Sequence, residues 1–91
     1  MKEFKFDQEK NKHIKLIRGI DFEYVIELIK DKKQVKTIKN PNKKRYPKQK
    51  MFLVKIGNHI YLIPFVEEDS YIFLKTIYPS EKYTKKLLKV K

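Results

Sequence analysis

Residues 51–66 read MFLVKIGNHIYLIPFV, and no other stretch limits the fold so tightly. Gly57-Asn58 stands between two runs rich in β-branched, aliphatic and aromatic residues, the signature of a two-residue β-hairpin. Alternation sends Phe52, Val54 and Ile56 to one side. Ile60–Val66 is apolar at every position, so neither of its faces can be left in water and the strand belongs at the centre of a sheet. Pro64 disturbs that assignment, because it has no N–H to give to a ladder; a bulge or a strand end is expected there.

The flanking segments supply what the hairpin needs as cover. Lys2–Phe6 alternates Lys and Phe around Glu3, which suits a short strand with Phe4 and Phe6 inward. Asp7 can cap a helix running to about Arg18, with Ile14 and Ile17 as its buried stripe, Leu16 at the margin and Gly19 closing it. Asp21 caps a second helix, in which Phe22, Val25, Ile26 and Ile29 fall on one face. Val35–Ile38 reads as a strand. Glu68-Asp69-Ser70 marks a turn, Tyr71–Tyr78 a further strand ended by Pro79, and Ser80 the cap of a last helix with Tyr83, Leu87 and Val90 on one face. The expected fold is one α+β domain spanning 1–91: an antiparallel sheet with an N-terminal helical hairpin and a C-terminal helix packed on one side of it, the other side partly open.

Charge is the second constraint. The net charge is +12, and Lys outnumbers Arg by 21 to 2. A lysine-rich coding bias accounts for the choice of Lys, not for the shortage of acids. Between Lys32 and Val66 there are ten Lys or Arg and no Asp or Glu. At the centre of this region KNPNKKRYPKQK, residues 39–50, carries six cations, two prolines and two asparagines, the composition of a stiff basic loop. Such asymmetry is the footprint of a polyanion-binding surface. The chain has no Cys, hence no disulfide framework or thiolate metal site, and no apolar run near the ~20 residues of a membrane span. MKEFKFDQEK is too charged for a signal peptide, so a soluble cytoplasmic protein is expected.

The opening FKFDQEKN, with Asp7, Lys10 and Asn11, the segment RGIDFE from Arg18 to Glu23, and the ending IFLKTIYPSEKYTKK, with Thr84, Lys85 and Lys86, resemble the BrnT family of type II toxins. The resemblance implies a RelE-like α+β fold, metal-independent RNA cleavage, no cofactor, and a small antitoxin partner, often with a ribbon-helix-helix half. It also implies RNA contacts for Lys10, Thr84 and Lys85. Three positions depart from the family pattern: Ile17-Arg18 stands for Lys-His, Gln49-Lys50 for Glu-Arg, and Glu81 for a basic residue. Glu81 has a structural reason, since an acid in the first turn of a helix opposes the positive end of its dipole.

Metal-free RNA cleavage uses the neighbouring 2′-hydroxyl as nucleophile, so the protein must move protons and stabilise charge at phosphorus. With two Arg and two His the candidate pool is small. Arg45 offers a bidentate fork for phosphate, while Lys43, Lys44, Lys48 and Lys50 are further loop cations near it. Tyr46 is a candidate stacking platform. Lys75 lies within an otherwise apolar strand and either points to solvent or lines a site on the open face. Tyr78, Ser80, Lys82 and Thr84 surround a helix N-terminus able to receive phosphate. His59 and Arg18 complete the catalytic candidates; a rim histidine and a helix-closing cation are their structural alternatives. The expected function is a ribonuclease toxin inhibiting translation, and the alternative is a non-catalytic RNA- or DNA-binding or ribosome-associated module.

Overall fold

A computed structural model describes residues 2–32 and 34–88. Its elements run β1 (Glu3–Lys5), α1 (Gln8–Arg18), α2 (Phe22–Lys30), β2 (Gln34–Lys39), β3 (Gln49–Ile56), β4 (His59–Glu67), β5 (Tyr71–Leu74), β6 (Tyr78–Ser80) and α3 (Glu81–Leu88). β3 and β4 pair antiparallel without a break from Gln49↔Val66 to Ile56↔His59. Gly57 takes the positive φ (64°) that the first position of the two-residue turn requires. The six strands form one sheet in the order β1-β5-β4-β3-β2, with β6 also on β4. The fold is α+β, and the sheet is mixed, not antiparallel throughout, because β1 returns beside β5 in parallel through Glu3↔Tyr71. Among the described residues no helix is long and apolar enough to cross a membrane.

Pro64 does not end its strand. The irregularity falls on the opposite strand, where the expected Tyr71–Tyr78 strand divides into β5 and β6. β5 leaves β4 at Phe65↔Leu74, and β6 rejoins it at Leu62↔Tyr78. Lys75, Thr76 and Ile77 therefore face only Ile63 and Pro64, an excess of one residue. The Lys75 N–H donates to the Pro64 carbonyl at 2.8 Å. A strand residue's nitrogen and carbonyl face the same neighbour. The donor that Pro64 lacks is thus missing on the side where the bulge already interrupts pairing, and the ladder to β3 loses nothing.

Both faces of the hairpin are covered, by different helices. Ile14, Phe22, Val25 and Ile29 of α1 and α2 pack with Phe52, Val54, Ile63, Phe65 and Leu74 on one face. Phe52 and Phe65 stack there with centroids 4.1 Å apart. Met51, Leu53, Ile60 and Leu62 form a second cluster on the other face, covered by Tyr83, Leu87 and Leu88 of α3. The expectation of helices on one side is corrected: α3 occupies the opposite layer. Val90, expected on its apolar face, lies outside the described residues.

Side-chain hydrogen bonds lock each helix in place. Asp7 accepts from Lys10 N and Asp21 from Tyr24 N, as N-caps. Gly19 (φ 72°) closes α1, its N–H donating to the Lys15 carbonyl at 2.9 Å. Asn11 is 6% exposed, and its Oδ1 accepts from the Phe22 N–H at 2.7 Å, fastening α1 to the first turn of α2. The buried stripe of α1 is therefore Asn11 and Ile14, and Ile17 is 61% and Leu16 85% exposed. At ~100° per residue, Ile17 lies roughly a quarter-turn from the middle of that stripe, and Leu16 lies opposite it. On the far layer Ser80 caps α3, accepting from Tyr83 N at 3.2 Å. The Thr84 hydroxyl accepts from Ile60 N at 2.8 Å and donates to the Ser80 carbonyl at 2.6 Å, fastening α3 to β4.

Asn11→Ala leaves the Phe22 amide buried without an acceptor and should cost about 1–3 kcal/mol. Ile17→Ala should change stability by less than about 0.5 kcal/mol. Urea unfolding of the two variants checks both; equal losses would contradict the burial pattern of α1.

Candidate nucleic-acid interface

The basic loop closes the β2–β3 hairpin. Beyond Lys39↔Lys50 the chain leaves the ladder at Asn40 and rejoins it at Gln49, the Asn40 N–H donating to the Gln49 carbonyl at 2.9 Å. Prolines contribute only part of its stiffness. The Asn40 Oδ1 accepts from Asn42 N at 3.0 Å, and the Asn40 Nδ2 donates to the Gln49 Oε1 at 2.7 Å. The Asn42 Oδ1 accepts from Arg45 N at 3.3 Å, while the Tyr46 N–H donates to the Asn42 carbonyl at 2.9 Å. Short amide side chains at turn positions replace backbone partners, so the loop holds a shape without a core of its own.

This loop forms one wall of a cleft of about 660 Å³. Tyr46, Pro47, Lys48 and Gln49 come from the loop side, Pro64 and Val66 from β4, and Lys75, Thr76 and Tyr78 from the bulge and the start of β6. The cleft lies on the α3 face of the sheet, beyond the end of the cluster that α3 covers. No carboxylate is among its lining residues. A smaller groove of about 210 Å³, with Lys39, Lys43 and Lys50, shares Lys48 and Gln49 with it and continues the cationic surface around the base of the loop. Lys75 is exposed, its ammonium 5.2 Å from the Phe73 ring centre. Burial, and then the neighbouring Tyr83, push the Tyr78 phenol above its ordinary pKa, so it stays protonated at neutral pH.

The remaining sequence candidates are distributed as follows. Arg45 is exposed, with its guanidinium 5.4 Å from the Tyr46 ring centre; it sits on the loop beside the cleft without lining it. Lys44 is exposed on the same loop. Lys50 shares the alternation of Phe52 and Val54, which turns it to the α1–α2 face. There its ammonium lies 3.4 Å from Glu67, which also holds Lys2 at 2.8 Å. Lys10 and Arg18 are exposed on α1, in that same far layer. His59 begins β4, five residues and roughly 16 Å along the strand from Pro64. Lys82 and Lys85 are exposed on α3, on the cleft side of the sheet. Thr84 is 6% exposed, with its hydroxyl committed to Ile60 and Ser80, so its role is structural in place of the expected RNA contact. Glu81 is exposed in the first turn of α3 and is not a lining residue.

The cleft thus unites Tyr46, Lys48, Lys75 and Tyr78 and leaves Lys50, Arg18, His59 and Lys10 apart from them. Sequence reasoning missed Asn40, Gln49 and Thr76. The signal for the first two is present in the sequence: asparagines flanking Pro41 and a glutamine opening the next strand are turn-bracing chemistry. No protein-family model matches this sequence, and no curated protein and no solved structure matches it.

Glu67 generates a pH dependence. Its carboxyl is held below the ordinary glutamate value, first by the hydrogen bond from Lys2 and then by that from Lys50. A depressed folded-state pKa gives stability that is complete above the unfolded-state pKa and lost as pH falls through the folded one. The group is over a third exposed, so the contribution at neutral pH should stay within about 1 kcal/mol. Melting temperatures of wild type and Glu67→Gln should differ slightly at pH 7 and converge in acid; a gap that widens in acid would contradict the assignment.

Proposed function

We propose that this chain binds single-stranded RNA in the cleft beneath the β2–β3 loop and cleaves it there, as the ribonuclease toxin of a type II toxin–antitoxin pair. The observation that carries the reading is the convergence of Lys48, Lys75, Tyr46 and Tyr78 on one carboxylate-free cleft. The toxin assignment draws on the resemblance to the BrnT family. Its cytoplasmic partner would be a small antitoxin, and the +12 charge favours an acidic surface on it.

The cleft residues divide the work of a 2′-hydroxyl attack. Lys75 and Lys48 are ammonium groups able to stabilise the extra negative charge on the phosphoryl oxygens. Tyr46 gives a base a ring to stack on. As the 2′-oxygen bonds to phosphorus and the bond from phosphorus to the 5′-oxygen breaks, the leaving oxygen needs a proton. Tyr78, whose hydroxyl reaches Met51 Sδ only at 4.0 Å, has one to give. The 2′-hydroxyl proton leaves to solvent, since no imidazole or carboxylate lines the cleft. Arg45 and the exposed cations of the loop and α3 extend the electrostatic track along the strand.

The lack of an imidazole in the cleft also favours a second reading, a module that binds RNA without cutting it. His59 and Arg18, the other proton-transfer and phosphate candidates, stand elsewhere in the fold.

The test is incubation of purified chain with a defined single-stranded RNA in EDTA, beside Lys75→Ala and Tyr78→Phe. The expected result is cleavage leaving 2′,3′-cyclic phosphate ends. Lys75→Ala should reduce the rate by about 10²–10³-fold. Tyr78→Phe should slow it by at least about 10²-fold with little change in RNA affinity. Salt-sensitive binding without products, on free RNA and on ribosomes, would establish the second reading.

A further inference from the structure

The brace of the loop leaves the Gln49 carboxamide nitrogen uncommitted among the described residues, and its identity is fixed by backbone hydrogen bonding. The Asn42 N–H can only donate, so the Asn40 atom facing it is Oδ1. The Asn40 Nδ2 is then turned to Gln49 and requires an oxygen there, which is Oε1 at 2.7 Å. The Gln49 Nε2, with two hydrogens and no accepting lone pair, has no protein partner among the described residues. Gln49 shares the alternation of Met51 and Leu53, toward the α3 face, and it lines the cleft.

The charged groups at this site, the ammonium ions of Lys48 and Lys75, are also donors only. The Asn40 Oδ1 is engaged by Asn42, and the Pro64 carbonyl by Lys75 N. Amide and ammonium groups of the cleft therefore offer hydrogens and ask for acceptors. Tyr46, Pro47 and Val66 supply apolar surface for a flat ring, and about 660 Å³ is within the range of small-ligand pockets, ~300–1,000 Å³.

We infer that the cleft selects among nucleobases and takes guanine over adenine, with the Gln49 carboxamide as the specificity-determining group. This rests on the reading of the cleft as a nucleic-acid site and is independent of cleavage. The two purines stack alike and carry the same phosphate. Guanine presents N7 and O6, two acceptors side by side, whereas adenine presents N7 beside an N6 donor. The Gln49 nitrogen and the neighbouring ammonium groups, donors only, satisfy both guanine atoms, and the same amide opposes a donor to adenine N6. Asn40 is the positioning residue, since it holds the Gln49 carboxamide by its oxygen and so leaves the nitrogen to face the base.

Titration of the isotopically labelled chain with 5′-GMP and, separately, 5′-AMP at low salt tests this by NMR. GMP should bind about tenfold more tightly, the lower part of the discrimination that a matched pair of base contacts supplies. The shifts should concentrate at Gln49, Lys75 and Tyr46. Gln49→Glu keeps the oxygen that Asn40 holds and replaces the donor by an acceptor, so the GMP preference should vanish or invert. The Asn42 amide resonance, unchanged in the variant, reports that the brace is intact. Equal affinities in the wild type, or an unaltered ratio in Gln49→Glu, would overturn the inference. Equal binding accompanied by RNA cleavage would sink the selectivity and leave the ribonuclease reading standing. Selective GMP binding without cleavage would do the reverse, and binding of neither nucleotide would remove both the selectivity and the site.

Discussion

The hydrogen bond from the Lys75 N–H to the Pro64 carbonyl is the point on which the architecture of this chain turns. A proline in a central strand ordinarily breaks a ladder on one side. Here the chain that pairs on that side steps out for one residue more than β4 can match and closes the gap with this bond. The step divides one long strand into β5 and β6. It delivers β6 to the start of β4, where Ser80 can be both last strand residue and cap of α3. It also puts Lys75 into the cleft wall, where a regular ladder would have continued the sheet. Bulges re-aim side chains, and this one puts Lys75 in the cleft that Tyr46 and Tyr78 also line.

The cleft exists because cover on the two faces is unequal. β4 is nine residues long, roughly 30 Å, and apolar on both sides over most of that length. α1 and α2 together reach Phe65 and Leu74 on their face. The described part of α3, eight residues or roughly 12 Å, packs over Ile60 and Leu62 and leaves Val66 beyond it. The uncovered end is where the basic loop rises. Acid placement follows the same division: Glu67 neutralises Lys2 and Lys50 on the α1–α2 face, while no acid lines the cleft on the other. The asymmetry of charge along the sequence thus becomes an asymmetry between faces of one sheet.

What could be read in advance was local. Asp7, Asp21 and Ser80 are caps because each side chain reaches an amide three residues on, and Gly19 and Gly57 hold left-handed backbone where turns need it. The hairpin of β3 and β4 follows from its turn and its apolar alternation. The parallel partner of β1 did not follow, since pairing Glu3 with Tyr71 depends on contacts far apart in sequence. Nor did the layer of α3: an amphipathic helix declares that it has a buried face, not which side of a sheet receives it. Ile17 misled because the inward position beside Ile14 belongs to Asn11, a polar residue buried for the sake of the Phe22 amide. Lys50 was legible and overlooked, since the alternation that turns Phe52 and Val54 to one side carries Lys50 with them. In the site, residue type identified the cations and tyrosines, but only the fold could sort those that meet from those that do not.

The loop shows why holding a shape and recognising a ligand are hard to separate in so small a domain. A chain of 91 residues has little core to spare for fixing a nine-residue connection, so the connection fixes itself with amide side chains. An amide has two ends, and satisfying one inside the brace determines what the other presents outside. At Asn40 both ends are engaged, so any change there alters shape and recognition together. At Gln49 only the oxygen is engaged among the described residues, and the nitrogen is left as a donor whose orientation the brace sets. The entropy of positioning that donor is lost on folding, before any ligand arrives, which is the condition under which a single uncharged group can discriminate between ligands of equal charge and similar size.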